Sequence, residues 1–108
     1  MSSLRGAAEA IQIKQPAVYI VTNQRNGTLY TGVTSDLIDR TAKHKEGFYQ
    51  GFSKKYDCKT LVYYELYGTM EAAILREKQI KAGSRKKKLA LIERQNPKWR
   101  DLYDDLVR

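Results

Sequence analysis

Cysteine is almost absent from this sequence, since Cys58 is the single one among 108 residues. One thiol can form no internal disulfide, and it cannot supply the cysteine cluster that holds a structural zinc ion. No apolar run approaches the ~18 residues that a membrane-spanning helix needs. These absences exclude a disulfide-stapled scaffold and favour a reducing compartment. We therefore expect a cytoplasmic protein with no membrane partner and no organic cofactor.

Negative charge is also scarce, with 12 acidic residues against 20 lysines and arginines and a net charge of +8. Such an excess of positive charge on a small domain favours a polyanionic partner, nucleic acid first. A basic surface that meets an acidic protein is the other interpretation. The length suits one domain, which we place at residues 16–108 after an N-terminal extension over residues 1–15.

Two short β-prone runs, Val18–Val21 and Leu29–Thr31, flank the polar segment Thr22–Thr28. That segment contains Asn26-Gly27, the dipeptide best suited to the left-handed backbone of a tight turn. The pattern predicts two antiparallel strands joined as a hairpin.

This hairpin brings two phenols together. Side chains alternate along a strand, so Tyr19 points to one face of the first strand while Tyr30 and Gly32 share a face of the second. Gly32 leaves open space beside the two rings. Aromatic side chains also suit half-buried strands in general, so ordinary packing is the alternative explanation for both tyrosines.

A helix is predicted directly after the hairpin, over residues 37–44, with Thr34 or Ser35 as its N-cap. Arg40 and His44 are four residues apart and therefore share one face of this helix, with Lys43 beside it. The helix can hold both side chains over the tyrosine pair. A solvated arginine is the alternative, and the lone histidine has no partner for a metal site.

The segment 45–60 is predicted to be irregular, and it alternates aromatic with basic residues. Bases can stack on exposed rings while lysines follow the phosphates of a single strand. Anchoring of the loop to the core explains the rings equally well. The residues concerned are Phe48, Tyr49, Phe52 and Tyr56, with Lys45, Lys54 and Lys55.

A third strand over residues 61–67 completes a three-stranded antiparallel sheet, and helices flank it, so the expected fold class is α+β. Thr69 caps a helix over residues 70–82. Glu77 falls on or at the edge of its apolar face, where an unpaired charge is costly. Either a lysine or arginine partner or a bound divalent cation would explain it.

Ser84 caps a further helix that opens with four basic residues, Arg85–Lys88. Positive charge at a helix N-terminus opposes the helix dipole, so a phosphate-binding role explains the run better than helix stability does. A solvated run is the alternative. Asn96 precedes Pro97, which ends this helix.

The order of these residues resembles the signature of the GIY-YIG nuclease superfamily. Its two motifs stand here as Ala17-Val18-Tyr19 and Tyr30-Thr31-Gly32, with Ala17 and Thr31 as departures. The stretch Ala73–Lys81 resembles that of the small single-domain branch, in which its glutamate is the metal ligand. The resemblance covers most of residues 17–102.

The resemblance implies a metal-dependent endonuclease that hydrolyses phosphodiester bonds, with one Mg²⁺ or Mn²⁺ bound by Glu77. We expect single-stranded or structured DNA as substrate, in repair or recombination, and RNA is not excluded. A nucleic-acid-binding module that keeps the fold without cleaving is the alternative. The implied catalytic residues are Tyr19, Tyr30, Arg40, His44, Glu77 and Asn96, and the expected nucleic-acid-binding residues are Lys43, Lys54, Lys55, Arg85, Lys86, Lys87 and Lys88.

Overall fold

Three antiparallel strands form one sheet in the order β2-β1-β3. The computed structural model describes residues 15–48 and 51–107, so residues 1–14 of the predicted extension over 1–15 lie outside the described residues, as do Tyr49 and the side chain of Phe52. The strands are β1 (Ala17–Thr22), β2 (Leu29–Thr34) and β3 (Thr60–Leu66). The predicted α+β fold is confirmed, and β1, which carries Tyr19, is the central strand.

The β1–β2 connection is wider than a two-residue turn, because Thr22 pairs with Leu29 and the loop spans residues 23–28. Asn26 adopts the left-handed conformation with φ of 59°. Gly27 does not, although its N–H closes the turn on the carbonyl of Gln24 at 2.9 Å. Asparagine therefore supplies the left-handed position, since its short polar side chain tolerates it.

The helices predicted after β2, after Thr69 and after Ser84 are present, but the segment 45–60 is not irregular throughout as predicted, because it contains the short helix Phe52–Lys55. The helices are α1 (Leu37–Lys45), α2 (Phe52–Lys55), α3 (Met70–Ala82), α4 (Arg85–Gln95) and α5 (Tyr103–Leu106). None of those in the described part of the chain is long and apolar enough to cross a membrane. The predicted caps of α3 and α4 are confirmed, with Thr69 accepting from the N–H of Ala72 and Ser84 from that of Lys87.

The predicted cap of α1 is wrong. Asp36 caps this helix, and its carboxylate accepts a hydrogen bond from the N–H of Asp39 at 3.1 Å. Thr34 is still part of β2, where it pairs with Ala17. Its hydroxyl instead accepts from the N–H of Asp36 at 3.0 Å, so it supports the cap from the strand.

The sheet is covered on both faces, and alternation along β1 assigns the two sets of side chains. Val18 and Ile20 point to one face, which we call the α3 face, where α3 and α4 pack. Ala17, Tyr19 and Val21 point to the other, the α1 face, where residues of α1 and α5 pack. A buried side chain of β1 therefore meets different helices at successive positions.

Candidate active site

A hydrogen bond between Tyr19 and His44 forms the centre of the candidate site. The phenol oxygen lies 2.9 Å from Nε2 of the imidazole, and both side chains are buried. Tyr19 is held by the central strand, and His44 lies on the buried stripe of α1 with Leu37 and Thr41. Only two residues separate the end of β2 from the start of α1. The helix therefore folds back over the α1 face and brings His44 into contact with Tyr19.

Tyr30 contacts the same histidine. Its ring centroid lies 5.5 Å from that of His44, and the corresponding distance from Tyr19 to His44 is also 5.5 Å. The two phenols predicted from the hairpin are therefore gathered around one imidazole. Tyr30 lies on the edge strand β2 and is half-buried, whereas Tyr19 is completely buried.

Gly32 is paired with Tyr19 across the β1–β2 ladder. A Cβ atom at this position would overlap the hydroxyl and the ring of Tyr19. The space that we expected beside the tyrosines is therefore filled by Tyr19 itself. Gly32 is a structural residue of the site because it allows the phenol to lie flat over the neighbouring strand.

Replacing Gly32 by alanine is expected to displace Tyr19 from His44. Overpacking of this kind costs about 1–3 kcal/mol of stability. Thermal unfolding measures that loss, and NMR titration of the imidazole reports the environment of His44. The matched control is Gly68→Ala, since nothing lies within 4 Å of a Cβ there. Equal melting temperatures and histidine titrations in the two variants would contradict the assigned role of Gly32.

His44 is neutral at pH 7. Its burial, followed by the positive charge of Arg40, lowers its pKa from 6.5 to about 4. A neutral imidazole has one nitrogen that accepts a hydrogen bond, so Nε2 can accept from the phenol of Tyr19. The geometry therefore aligns the phenol oxygen with the imidazole nitrogen, while the lowered pKa of His44 opposes complete transfer of the proton to it.

Arg40 lies one helical turn before His44, as the sequence predicts. It is half-buried, and its Nη1 lies 3.5 Å from the carbonyl oxygen of Val33 on the edge strand. Its effect on the pKa of His44 shows that its charge is felt at the tyrosine–histidine cluster. A guanidinium here can bind an oxyanion in planar, bidentate geometry.

Glu77 lies on α3, which packs against β2 and β1 from the α3 face. Its side chain is only 14% exposed, and its carboxylate pairs with Lys81 at 3.0 Å. The basic partner that we considered for Glu77 is therefore present, one turn along the same helix. Lys81 is 53% exposed, so the cation of this pair is largely solvated.

A metal ion at Glu77 would have at most one further histidine, cysteine or carboxylate ligand from the described residues. The described residues contain no group of three or more histidine, cysteine, aspartate or glutamate side chains that could hold a metal. Magnesium is commonly bound through one or two carboxylates, with water and substrate phosphates at the other positions. The donor set at Glu77 fits that mode and does not fit a protein-only metal cage.

Asn96 has a structural environment. Its Nδ2 donates to the carbonyls of Val62 and Arg100, and its Oδ1 accepts from the N–H of Arg100. The side chain thereby ties the end of α4 to β3 and to the following turn. Asn96 is not brought onto the tyrosine–histidine cluster, so these bonds favour the helix-stop interpretation over the catalytic one.

The predicted nucleic-acid-binding residues fall into two groups. Arg85 is occupied, because its Nη2 donates to the carbonyls of Asn26 and Gly27 at 2.7 and 2.8 Å and so fastens α4 to the hairpin turn. Lys43 pairs with Asp39 at 3.1 Å. The others have no acidic partner among the described residues and are exposed, or half-buried for Lys88. They are Lys54, Lys55, Lys86, Lys87 and Lys88.

A polar network around Glu65 was missed by sequence reasoning, which treated the tyrosines of β3 as packing residues. Tyr63 and Tyr67 donate their hydroxyls to its carboxylate, and Arg76 donates from Nε and Nη2 at 2.9 and 3.1 Å. Burial would raise the pKa of Glu65, but the bonds from Arg76 and the tyrosines hold it below its usual value. The signal available in the sequence was spacing: Tyr63, Glu65 and Tyr67 are two residues apart, which puts all three on one face of the predicted strand.

Residues 15–90 match the family model described as the GIY-YIG catalytic domain. The matched segment runs from the start of β1 into α4. It therefore includes the hairpin, α1 and Glu77, and it stops before Asn96.

The chain is similar to small bacterial proteins. It is 41% identical over 75 residues to a UPF0213 protein of Staphylococcus saprophyticus, an alignment that covers 69% of this chain and 90% of that protein. It is 42% identical over 76 residues to a UPF0213 protein of Staphylococcus aureus, covering 70% and 92%. It resembles the solution NMR structure of a UPF0213 protein from Bacillus halodurans, with a TM-score of 0.51, 28% identity and coverage of 81% and 92%.

Proposed function

This chain belongs to the GIY-YIG nuclease family, and on that basis we propose that it is a metal-dependent endonuclease that hydrolyses phosphodiester bonds of DNA. The observation that carries the proposal is the buried hydrogen bond between Tyr19 and His44, with Tyr30 on the same imidazole. Packing alone would not require a phenol–imidazole bond at 2.9 Å beside an arginine.

Tyr19 is the proposed general base. A free phenol has a pKa near 10, so it must pass its own proton on as it takes one from the attacking water. His44 is the neutral acceptor of that proton through Nε2. Its low pKa makes the imidazolium unstable in the empty site, so the transfer becomes favourable only when a negatively charged phosphate lies beside the pair.

Arg40 and Tyr30 complete the proposed site. Arg40 binds a non-bridging phosphate oxygen and stabilises the charge that grows there in the transition state. Tyr30, whose ring also contacts His44, positions the water or the phosphate. Both lie near the edge strand β2, where a nucleic-acid strand can approach without displacing a neighbouring strand of the sheet.

Glu77 is the proposed ligand of one Mg²⁺ or Mn²⁺. When bound, such an ion polarises the phosphate and stabilises the leaving 3′-oxygen. The carboxylate is already desolvated and carries an ammonium partner that a divalent cation can replace. Glu77 thus supplies the fixed negative charge that would attract the cation to α3.

Single-stranded or structured DNA is the proposed substrate, and exposed aromatic rings beside lysines support it. Phe48, at the end of α1, is 61% exposed with the ammonium of Lys43 over its ring at 5.3 Å. Tyr56 is 40% exposed, with Lys55 at 5.5 Å from its ring. Ring and cation side by side suit a strand whose bases are unpaired.

The stability of the protein is expected to fall as the pH drops from 6.5 towards 4. His44 binds its proton near pH 6.5 in the unfolded chain but near pH 4 in the folded one, so the unfolded state takes up more protons in this window. The full difference amounts to about 3 kcal/mol.

Urea unfolding at several pH values measures this effect. His44 is the only histidine in the sequence, so its NMR titration is unambiguous. In a His44→Asn control the slope of stability between pH 5 and 6.5 should flatten. A slope that is unchanged in the control would assign the effect to other groups.

The proposed function is tested by cleavage of end-labelled single-stranded, duplex, flapped and RNA oligonucleotides, each with Mg²⁺, Mn²⁺ or EDTA. The protein is compared with Arg40→Gln, and Arg25→Gln in the exposed hairpin loop is the matched control. We expect metal-dependent cutting of single-stranded or flapped DNA, lost in the Arg40 variant and kept in the control.

Two outcomes would replace this proposal. Salt-sensitive binding without cutting of any substrate would favour the non-catalytic binding module. Failure to bind any oligonucleotide at low salt would favour an acidic protein as the partner of the basic surface.

A further inference from the structure

A cavity of about 270 Å³ lies between α3 and α4, on the side of the sheet away from the tyrosine–histidine cluster. The volume is near the lower end of that of small-molecule sites. It is therefore suited to one small unit, such as a single nucleotide, rather than to an extended ligand.

The wall of the cavity is strongly basic. Four cationic side chains and no acidic one line it. Three of these cations, Lys87, Lys88 and Arg94, have no acidic partner among the described residues. An anionic ligand would supply the missing charge.

Arg76, the fourth cation, is held in place before any ligand binds. Its Nε and Nη2 donate to Glu65, and its Nη1 donates to Gln79 at 3.3 Å. Since three of its five N–H groups already donate hydrogen bonds and fix its plane, this guanidinium is better suited to stacking on a planar base than to binding a phosphate. The network around Glu65 thus fixes the position of Arg76 in the cavity wall.

Apolar side chains form a further part of the lining, which Gln79 and Gly83 complete. Ile80 is buried, Leu91 is half-buried, and Ala90 lies beside them. A phosphate ion by itself would make no favourable contact with these apolar side chains. Apolar atoms next to three cations suit a ligand with a flat apolar part and a negative part.

The cavity is separate from the proposed metal site. Successive residues of a helix are 100° apart, so on α3 the buried Ile80 lies between Arg76 and Glu77. Arg76 faces the cavity and Glu77 does not line it. A ligand in the cavity therefore contacts α3 on the flank away from Glu77.

We propose that this cavity binds one nucleotide of the nucleic-acid strand, outside the cleavage site. The phosphate lies on Lys87, Lys88 and Arg94, and the base lies against Ile80, Leu91 and the guanidinium of Arg76. The assignment rests on the proposed function, because the strand is that of the substrate. Its consequence is a second contact that holds the uncut part of the strand.

The test measures binding of a labelled single-stranded oligonucleotide in EDTA, where no cleavage occurs. The double variant Lys88→Gln/Arg94→Gln is compared with Lys78→Gln/Lys98→Gln, two exposed lysines outside the cavity that change the net charge equally. We expect Kd to rise about tenfold in the first, with the salt slope reduced by ~0.7 per lost phosphate contact, and less than about twofold in the second. Equal effects in both double variants would overturn the proposal.

Ala90→Phe tests the cavity without changing the charge. The larger side chain fills the space, so we expect weaker oligonucleotide binding here as well. NMR titrations with deoxyadenosine monophosphate, deoxyadenosine and inorganic phosphate, each alone, should move the amide signals of Ala90 and Leu91 most strongly with the monophosphate. Two results would contradict the assignment of a base to the cavity. One is a shift of these amide signals by inorganic phosphate that is as large as the shift by the monophosphate. The other is oligonucleotide binding by Ala90→Phe with the wild-type Kd.

Competition distinguishes the two sources of a nucleotide. We expect the monophosphate to compete with the oligonucleotide for this site. Saturation of the cavity by the monophosphate without any loss of oligonucleotide binding would overturn the proposal in favour of a free nucleotide.

The two proposals can fail separately. Cavity-dependent binding by a wild-type protein that cuts nothing would keep this inference and reject the nuclease. Cleavage by the wild type, together with wild-type Kd values in the cavity variants, would keep the nuclease and reject this inference.

Discussion

Glu77→Gln is expected to reduce the rate of cleavage about 1000-fold, while the Kd for an oligonucleotide stays within about twofold of the wild type. A bound metal ion is worth several kcal/mol of transition-state stabilisation, and 4 kcal/mol corresponds to this factor. The amide keeps the size of the side chain but loses the charge that attracts the cation. Single-turnover cleavage with a titration of Mg²⁺ and Mn²⁺ measures the effect.

The control on the same helix is Glu71→Gln. Glu71 is exposed in the first turn of α3. The Glu71→Gln variant should therefore cut at the wild-type rate. The stability of Glu77→Gln should change by less than about 1 kcal/mol, because its partner Lys81 is mostly solvated. A variant that loses stability but still cuts would show that Glu77 serves only its ion pair.

Lys81 offers a second comparison at the same carboxylate. If the metal ion replaces the ammonium, Lys81→Gln removes a competitor, and half-maximal cleavage should require less Mg²⁺. An unchanged or higher metal requirement would contradict the shared use of Glu77 by the lysine and the cation.

Tyr19→Phe is expected to reduce cleavage by about 10²–10⁴-fold, the usual contribution of a positioned acid or base. The change removes one oxygen atom and leaves the packed ring over Gly32. Stability should fall by about 1 kcal/mol, since the bond to His44 is lost. Cleavage rates with saturating substrate separate this effect from any change in binding.

Tyr64→Phe is the matched control. Tyr64 is the cross-strand neighbour of Tyr19 on β3, and its hydroxyl has no hydrogen bond in the described part of the structure. This variant should cut at the wild-type rate. Equal rates in the two variants would remove Tyr19 from the reaction and leave it a packing residue.

Several features of the fold were predictable because they depend on neighbours in the chain. A cap needs only a hydroxyl and an N–H three residues later, and Thr69 and Ser84 both meet that condition. Strand alternation likewise assigned Val18 and Tyr19 to opposite faces of the sheet. At α1 the same spacing holds for Asp36 and the N–H of Asp39, but the prediction placed the cap at Thr34 or Ser35, and Thr34 belongs to the sheet.

The candidate site was predictable only in part. The four-residue spacing of Arg40 and His44 placed them on one helical face, but whether that face met Tyr19 depended on the path of the chain between β2 and α1. Arg85 illustrates the opposite case, because its guanidinium binds the carbonyls of a turn almost sixty residues earlier. Nothing near Arg85 in the sequence indicates that contact.

The sequence by itself determined the strands, the caps of α3 and α4, the basic charge and the order of the residues that mark the family. These follow from local backbone preferences and from residue type, which act over a few positions. Only the tertiary structure decided that Tyr19 fills the space above Gly32, that Asn96 is consumed by backbone bonds, and that a basic cavity opens between α3 and α4. Those features arise where distant segments pack, and packing depends on the shape of all the partners at once.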